Sequence, residues 1–163
     1  MDKFTGRVWV LGDDIDTDII IPTEYLALKT IDDMKQYGFS PLRPELAGQI
    51  QKGDIIVAGK NFGCSSSREQ APEIIKAMGV QCVIAKSFAR IFFRNSINNG
   101  LLLIEQPDLY DDMKEGDEIT VVMNEHVDYN GKEYSIASLP ENLMSIIQAG
   151  GLVKAMRKLN GLD

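Results

Sequence analysis

Residues 53–104 read GDIIVAGKNFGCSSSREQAPEIIKAMGVQCVIAKSFARIFFRNSINNGLLLI. Three apolar runs within them are typical of buried strands, at residues 54–58, 80–85 and 101–104. Two segments with a helical pattern lie between these runs, residues 72–78 and 88–98, and Gly79 follows the first at a usual helix-ending position. This alternation of strands and helices predicts parallel βαβ units. The turn after the strand at residues 54–58 would then lie at the carboxyl end of the sheet, where open α/β folds bind ligands.

The chain before this stretch is predicted to contribute one strand and a long, broken connection. Residues 4–11 alternate well enough between apolar and polar side chains for a first strand. Residues 19–21 are three isoleucines ended by Pro22, and we predict a second, short strand there. Residues 23–50 are interpreted as a long loop with one short helix at about residues 31–37, because glycines and prolines interrupt any longer element.

The last third of the chain changes to an antiparallel pattern. Three segments are predicted as strands: residues 118–123, 127–129 and 134–136. Asn130-Gly131 is a strong signal for a two-residue hairpin between the last two. Two short helices are predicted at residues 141–149 and 152–159. The sequence therefore predicts an α/β fold, with a single domain over residues 1–163 in which a parallel βαβ layer packs with an antiparallel, barrel-like section.

The composition excludes several classes of protein. The chain has 163 residues, 44% hydrophobic and 25% charged, as expected for a globular domain rather than a disordered or fibrous one. A formal net charge of −7 argues against nucleic acid or an anionic membrane as the main partner. No apolar run reaches the ~18–20 residues of a membrane span, and no signal peptide is recognisable. Two cysteines fit a reducing cytoplasm.

The single histidine, His126, restricts the chemistry that this chain can perform. A Ser-His-Asp or Cys-His enzyme would depend on it alone. Zinc sites of the usual kinds need more ligands than His126, Cys64 and Cys82 can supply, so we predict no metal site on this chain. We interpret His126 as an exposed residue of a turn. Catalysis is therefore expected from hydroxyls, guanidinium groups, carboxylates or a partner's groups.

Residues 61–72, NFGCSSSREQAP, place a glycine, three serines and an arginine at the entry to a helix. Gly63 permits a backbone turn that other residues resist, and Pro72 fits the first helical turn. Free N–H groups, the helix dipole and Arg68 together favour an anion there. Because an arginine offers two parallel donors, a carboxylate is the natural ligand.

A purely structural interpretation of the same residues stays open. Ser66 and Ser67 stand three residues before Glu69 and Gln70, which is the spacing of a capping box. One of the two serines could therefore only cap the helix. Both interpretations can hold together, because a capped helix N-terminus also binds anions well.

Several motifs in order resemble one known family. The turn is similar to the Gly-Ser-Ser-Arg-Glu-His turn in the active site of the aconitase superfamily's swivelling domain. Further matching segments follow the family's order: residues 12–18 (GDDIDTD), 20–22 (IIP), 25–26 (YL), 87–95 (SFARIFFRN) and 149–152 (AGGL). Over nearly its whole length the chain most resembles the separate small subunits of 3-isopropylmalate dehydratase. The resemblance implies a swivelling β/β/α domain.

The resemblance also implies a role for each residue of the turn. Ser66 matches the base that takes a proton from the substrate carbon, Ser67 matches a serine that hydrogen-bonds substrate, and Arg68 matches the arginine that binds a carboxylate. A serine is a poor base unless its alkoxide is stabilised, and a helix N-terminus beside a guanidinium stabilises it. Two positions depart from the family's pattern: Ser65 replaces a common glycine, and Gln70 replaces a common histidine.

Residues 25–30, YLALKT, match the loop in which the family sets its choice of substrate. Relatives that act on tricarboxylates place an arginine after Tyr-Leu, whereas this chain has Ala27. Without that arginine a third carboxylate would lack a partner, while an alkyl group would meet an apolar surface. We therefore expect Leu26, Ala27 and Leu28 to bind the alkyl side chain of a substituted malate. The alternatives are a loop simply anchored in the core, and a distal carboxylate reached by Lys29.

The resemblance places the rest of the active site on another chain. Dehydration needs an electrophile to help the hydroxyl leave, and two cysteines are too few for a thiolate-ligated cluster. In the family a large subunit carries a [4Fe-4S] cluster, so we expect no cofactor on this chain and a heterodimer or heterotetramer with that subunit. Cys64 is interpreted as a buried or incidental thiol, with a redox-sensitive thiol as the alternative.

Two further segments carry competing interpretations. The acidic turn at residues 14–18 begins like a calcium loop but has Ile19 and Tyr25 where that loop needs Gly and Glu, so we interpret it as a structural turn. Arg90 and Arg94 lie four residues apart on one helix face, which we interpret as a solvated or salt-bridged face, with a second anion contact or a subunit-docking charge as the alternatives.

We predict a cytoplasmic hydro-lyase subunit that acts on 3-isopropylmalate in leucine biosynthesis. Small subunits for 2,3-dimethylmalate, citramalate or homoaconitate are alternatives within that class. A non-catalytic partner-binding module is the alternative of another class, and a lone hydrolase using Cys64 and His126 is the least favoured.

Overall fold

A computed structural model of the chain describes residues 3–65, 68–151, 156, 157 and 159. In chain order its elements are β1 Lys3–Val10, α1 Thr17–Ile20, α2 Ile31–Met34, α3 Leu46–Gln49, β2 Ile55–Ala58, α4 Gln70–Ala77, β3 Cys82–Ala85, α5 Arg90–Asn98, β4 Leu102–Glu105, α6 Leu109–Asp112, β5 Glu118–Val122, β6 His126–Tyr129, β7 Lys132–Ser135 and α7 Glu141–Ala149. Two 3₁₀ turns, Thr23–Ala27 and Lys35–Tyr37, lie between α1 and α3. The helix predicted at residues 152–159 falls mostly outside the described residues.

Seven strands of the described chain form one sheet in the order β4-β3-β2-β1-β5-β6-β7. Strands β1 to β4 are parallel neighbours, and β5 to β7 continue the sheet as antiparallel neighbours. Strand β1 belongs to both parts, since Val8 pairs with Ile55 of β2 while Thr5 pairs with Thr120 of β5. The predicted α/β fold is confirmed, and its parallel and antiparallel sections are halves of a single sheet.

The parallel strands are buried on both faces because helices or the C-terminal elements cover each side. All four residues of β2 and all four of β3 are buried. Alternate side chains point to opposite faces, so Ile56 and Ala58 pack in one core cluster while Ile55 and Val57 pack in the other. The first cluster holds helices α4 and α5 against the sheet, and these two helices begin beside the predicted site.

The predicted strand at residues 19–21 is wrong, because these residues belong to the helical turn α1 and its end. Asp16 caps this turn, its side chain accepting a hydrogen bond from the Ile19 amide at 2.9 Å. Ile20 and Ile21 are fully buried. A side-chain cap and burial therefore outweigh the strand preference of three consecutive isoleucines.

The remaining predicted elements differ from the structure mainly at their ends. Helix α4 begins at Gln70, two residues earlier than expected, and α5 begins at Arg90, two residues later. The Asn130-Gly131 turn is confirmed, with φ of 53° and 81°, the backbone of the predicted hairpin type. The short helices α3 and α6 were not predicted. In the described part of the chain, no helix has the length and apolar character to cross a membrane.

Candidate active site

The candidate site lies where the chain leaves two neighbouring parallel strands. The connection after β2 and the connection after β3 are joined by a short parallel bridge between Phe62 and Phe88. The Phe62 amide donates to the Ser87 carbonyl at 3.0 Å, and the Ala89 amide donates to the Phe62 carbonyl at 3.0 Å. The turn before α4 and the start of α5 therefore meet at the carboxyl edge of the sheet, as the sequence predicts.

The acidic turn at residues 14–18 is built into this edge. The Lys60 amide donates to Asp13 Oδ1 at 2.7 Å, and the Gly63 amide donates to the Ile15 carbonyl at 2.7 Å. The Thr17 amide donates to the Cys64 carbonyl at 3.1 Å. These bonds tie the acidic turn to the turn before α4, so its interpretation as a structural turn is confirmed.

The backbone of the turn before α4 has an uncommon shape. Asn61, Gly63 and Ser65 all have a left-handed φ, of 62°, 82° and 77°. At Gly63 a Cβ would overlap the ring of Phe92, so this position needs a glycine for both conformation and space. Ser65 holds a conformation that costs a residue with a side chain more than a glycine. That cost gives a physical reason for the glycine common at this position of the matching motif.

Ser66 and Ser67 lie outside the described residues, so their catalytic roles stay predictions, whereas the predicted capping box is wrong, because it would place Glu69 or Gln70 three residues inside the helix. Helix α4 begins at Gln70, and Glu69, not a serine, stands at the N-cap position and makes no capping hydrogen bond through its side chain. Gln70, which replaces the family's histidine, is the first residue of α4.

Arg68 is held firmly at the edge of the candidate site. Its guanidinium donates to the Ile21 carbonyl at 2.8 Å and to Thr23 Oγ1 at 2.9 Å, and it pairs with Asp18 Oδ1 at 2.6 Å. These contacts account for three of the five N–H donors of a guanidinium. The Arg68 side chain is 15% exposed and that of Asp18 is 59% exposed. A carboxylate arriving from solvent can therefore compete with Asp18 for Arg68.

A cavity of about 140 Å³ opens beside Arg68. Its described lining comes from the turn before α4, from α1 and from the start of α5: Thr17, Gly63, Ser65, Arg68, Ala89, Arg90, Ile91, Phe92 and Asn95. Helix α5 contributes its N-terminus, where Ala89 provides no side-chain cap and the first turn has no acidic residue. Two guanidinium groups and the positive end of a helix therefore border one small space, which suits an anion.

The predicted substrate loop is joined to Arg68 but does not line this cavity in the described structure. Leu26 and Leu28 are half-buried and pack against the core cluster of α4 and α5, whereas Ala27 is exposed. Thr23, at the start of the same 3₁₀ turn, carries the hydroxyl that accepts from Arg68. The alternative of a core-anchored loop fits Leu26 and Leu28, and the role of all three residues in substrate choice stays a prediction.

Neither cysteine suits an iron–sulfur cluster. Cys82 is fully buried in β3, and its burial raises the pKa of the thiol far above its ordinary value. Burial also raises the pKa of Cys64, with further contributions from the Asp16 and Asp14 carboxylates. A [4Fe-4S] cluster takes four thiolate ligands, so two cysteines, one of them fully buried within a strand, are too few to hold one. The same shifts favour the interpretation of Cys64 as an unreactive thiol.

The interpretation of His126 as an exposed turn residue is wrong, because His126 is the first residue of β6 and its side chain is only 20% exposed. Its Nε2 lies 3.1 Å from Asp128 Oδ1 and 3.6 Å from Glu133 Oε2. In the described structure these three residues are the one group of His, Cys, Asp and Glu side chains close enough to share a metal ion. They lie on the β6–β7 hairpin, outside the lining of the cavity.

Several residues at the site were not assigned to it by sequence reasoning, among them Asp18, Thr17 and Asn95. Asp18 pairs with Arg68, and the other two line the cavity. All three lie in the segments 12–18 and 87–95, which carry the family resemblance. The family resemblance of these two segments could therefore have indicated that they lie at the site, although it assigned no role to the individual residues.

Comparison with known proteins agrees with this geometry. Residues 19–109 match the family model of the aconitase C-terminal domain. The chain is 77% identical over 162 residues to the 3-isopropylmalate dehydratase small subunit of Lachnospira eligens, covering 99% of each chain, and 51% identical over 158 residues to that of Heliobacterium modesticaldum, covering 95% of each. A crystal structure of 3-isopropylmalate dehydratase (leuD) from Methanocaldococcus jannaschii matches with a TM-score of 0.92 and 38% identity, covering 99% of this chain and 97% of that one. The chain therefore belongs to the aconitase C-terminal domain family and, within it, to the small subunits of 3-isopropylmalate dehydratase.

Proposed function

We propose that this chain is the small subunit of a hydro-lyase that interconverts 2-isopropylmalate and 3-isopropylmalate in leucine biosynthesis, in the cytoplasm. The observation that carries the proposal is the 77% identity, over 99% of both chains, to a small subunit of that name. We further propose that residues 1–163 act as one domain. Small subunits for 2,3-dimethylmalate, citramalate or homoaconitate are the alternatives that a substrate assay would separate.

Ser66 is proposed as the base of the reaction. Its oxygen takes the proton from the substrate carbon, the electron pair of the broken C–H bond forms the carbon–carbon double bond, and the C–O bond breaks to release hydroxide. Rehydration at the neighbouring carbon completes the isomerisation. The turn that carries Ser66 leads directly into α4, whose N-terminus favours an alkoxide.

Arg68 is proposed to bind the carboxylate next to the carbon that loses its proton, and Ser67 to hydrogen-bond the same substrate. Negative charge builds on that carboxylate as the proton leaves, so a fixed guanidinium stabilises the transition state more than the ground state. The contacts from Ile21 and Thr23 hold the Arg68 guanidinium in place before substrate arrives. Substrate would displace the exposed Asp18 carboxylate.

The departure of hydroxide needs an electrophile, and we propose that a [4Fe-4S] cluster in the large partner subunit supplies it when the two chains assemble. The partner is expected to complete the cavity beside Arg68, which opens to solvent in the described structure. Assembly as a heterodimer or a heterotetramer is consistent with this arrangement. A small diacid is the expected substrate, and no nucleic acid or membrane is involved.

Substitution of Ser66 by alanine tests the catalytic assignment. In the enzyme reconstituted with its large subunit, Ser66→Ala should lower kcat by about 10²–10⁴-fold, because the base is lost while the binding surface is kept. Assembly, followed by size-exclusion chromatography, should not change. Ser145→Ala is the matched control, since this hydroxyl donates only to a carbonyl of its own helix α7. Wild-type turnover of Ser66→Ala would favour a non-catalytic partner-binding module instead.

Substitution of Ala27 by arginine tests the substrate assignment. A guanidinium at this exposed position should lower kcat/KM for 3-isopropylmalate about tenfold or more and improve the relative rate with a tricarboxylate such as homoaconitate. Ala47→Arg is a control outside the substrate loop. Unchanged relative rates in Ala27→Arg would show that Leu26, Ala27 and Leu28 do not set the choice of substrate.

A further inference from the structure

One face of α5 stands out on the surface of the described structure. Arg90, Ile91 and Arg94 are all exposed, and we call them the α5 arginine face. Residues three and four positions apart are neighbours on a helix surface, so Arg94 lies beside both of the others. Ile91 is 55% exposed, although the same helix buries Phe92 and Ile97 almost completely.

The charges of this face are unfavourable in the isolated chain. Arg90 is the first residue of α5, where the helix dipole disfavours a cation, and Arg94 follows at a spacing that brings like charges together. Within the described residues, neither arginine has a hydrogen bond, an ion pair or a ring contact. By contrast Arg7, Arg43 and Arg68 each pair with a carboxylate. The two arginines therefore form a positive patch in a chain of net charge −7, and an external anion that paired with both would relieve their repulsion.

A small anion bound beside Arg68 would reach Arg90 but would leave Arg94 without a partner. Arg90 borders the cavity beside Arg68, whereas Arg94 is absent from the described lining of that cavity. Both arginines border a second cavity of about 350 Å³, together with Phe93, Ile97, Asn98 and Leu143. The face therefore extends from the candidate site to an apolar groove one helical turn away. Carboxylates spaced around an apolar contact, as on a protein surface, would match it.

We propose that the α5 arginine face is a docking surface for the large iron–sulfur subunit, whose contacting surface carries carboxylates around an apolar side chain that packs on Ile91. This inference rests on the proposed function, because the partner must approach the open cavity that Arg90 and Arg68 border. Docking there removes the like-charge repulsion and buries Ile91, while the same contact closes the cavity over its substrate.

Two substitutions test the face directly. Arg94→Glu should raise the Kd for the large subunit about tenfold or more, and Ile91→Asp about a hundredfold, measured by titration of the purified subunits. Arg94→Ala should have a smaller effect than Arg94→Glu, because it removes an attraction without adding repulsion. Higher salt should raise the Kd of the wild type and reduce the difference in Kd between the wild type and Arg94→Glu.

Lys52→Glu is the matched control. Lys52 is an exposed cation in the turn before β2, at the opposite, amino edge of the parallel strands, and its reversal should leave the Kd unchanged. Far-UV circular dichroism and thermal melting of each isolated variant establish that it is folded. Since Arg94 and Ile91 are exposed, both variants should melt close to the wild-type temperature.

The outcomes separate this inference from the proposed function. Wild-type affinity in both Arg94→Glu and Ile91→Asp overturns the docking surface, even if Ser66→Ala is inactive and the function stands. Lost affinity in both, with full turnover in Ser66→Ala, supports the surface and overturns the catalytic assignment. If Ile91→Asp abolishes only self-association of the isolated chain, seen by sedimentation velocity, the partner is a second copy and the proposal is wrong.

Discussion

The parallel and antiparallel halves of the sheet differ in how deeply their strands are buried. In the parallel half, β2 and β3 are buried along their whole length, and the chain that leaves them adopts the uncommon backbone of the candidate site. In the antiparallel half, β5 buries every second residue and β6 and β7 bury one residue each, so most of these strands' side chains reach the surface. The difference indicates that tight packing on both faces lets the parallel half hold an unfavourable turn in place.

Two glycines show this difference at nearly the same backbone angle. Gly63 has a φ of 82° in the parallel half, and Gly131 has a φ of 81° in the hairpin. A Cβ at Gly63 would overlap the Phe92 ring, whereas a Cβ at Gly131 would have no neighbour within 4 Å. Conformation alone requires a glycine in the hairpin, but conformation and packing both require one at the site.

Alanine at each glycine gives the largest expected effect on stability. Gly131→Ala should cost about 1–2 kcal/mol of unfolding free energy, the usual cost of a left-handed residue with a side chain. Gly63→Ala should cost about 1–3 kcal/mol more, because the added methyl overpacks the core. Urea denaturation of both variants measures the difference. Equal losses would mean that packing adds nothing at Gly63 and that the contrast between the halves is wrong.

Substitution of Tyr134, in the antiparallel half, should have an intermediate effect on the free energy of unfolding, and this effect should depend on pH. The Tyr134 hydroxyl donates to Asp112 Oδ2 at 2.7 Å, and this bond, with burial, raises the pKa of Tyr134 to about 12. Because the folded-state pKa lies above the ordinary value of 10, the stabilisation is complete below pH 10 and is lost as the pH rises towards 12.

Tyr134→Phe should therefore cost about 1 kcal/mol at neutral pH, since it removes one hydrogen bond and keeps the ring. The difference between wild type and variant should shrink between pH 10 and pH 12, followed by thermal melting across that range. Tyr110→Phe is the control, as Tyr110 makes no hydrogen bond through its hydroxyl in the described structure. A difference that stays constant to pH 12 would show that the Asp112 contact does not stabilise the fold.

The smallest expected effect on stability concerns Ser65, in the parallel half. Ser65→Gly should stabilise the chain by about 0.5–1 kcal/mol, because glycine adopts the φ of 77° without the cost that serine carries. A gain in melting temperature with unchanged kcat would show that the unfavourable backbone at Ser65 is incidental. A loss of kcat would show instead that the Ser65 side chain, which lines the cavity, positions the neighbouring base.

Elements with a strong local signal could be predicted from the sequence. The apolar runs of β2 and β3 and the Asn130-Gly131 hairpin were correct because their signals lie within a few residues. The position of α1 could not be predicted in this way, since it depends on a cap from Asp16 and on burial that only the tertiary structure provides. Local preference there gave the wrong element.

The site could be predicted only as far as its residue types. The motif indicated Arg68 correctly as a residue at a helix entry on the carboxyl edge of the sheet. Its partners Ile21 and Thr23 lie 47 and 45 positions away along the chain, so no local pattern could have identified them. The Asp18 contact and the contribution of Thr17 to the cavity likewise depend on how the acidic turn folds onto residues 60–64.

Strand β1 has a consequence for how the chain is made. The residues of β1 are synthesised early. Strand β1 can pair with β5 only after Thr120 has been synthesised, 115 residues after its partner Thr5. The segments of β2, β3 and β4 are complete well before that point, so the edge that holds the candidate site can order during synthesis while the hairpin is still being translated. During synthesis the late strands are therefore the last to join the sheet, and a truncation before β5 would leave an edge of β1 open to aggregation.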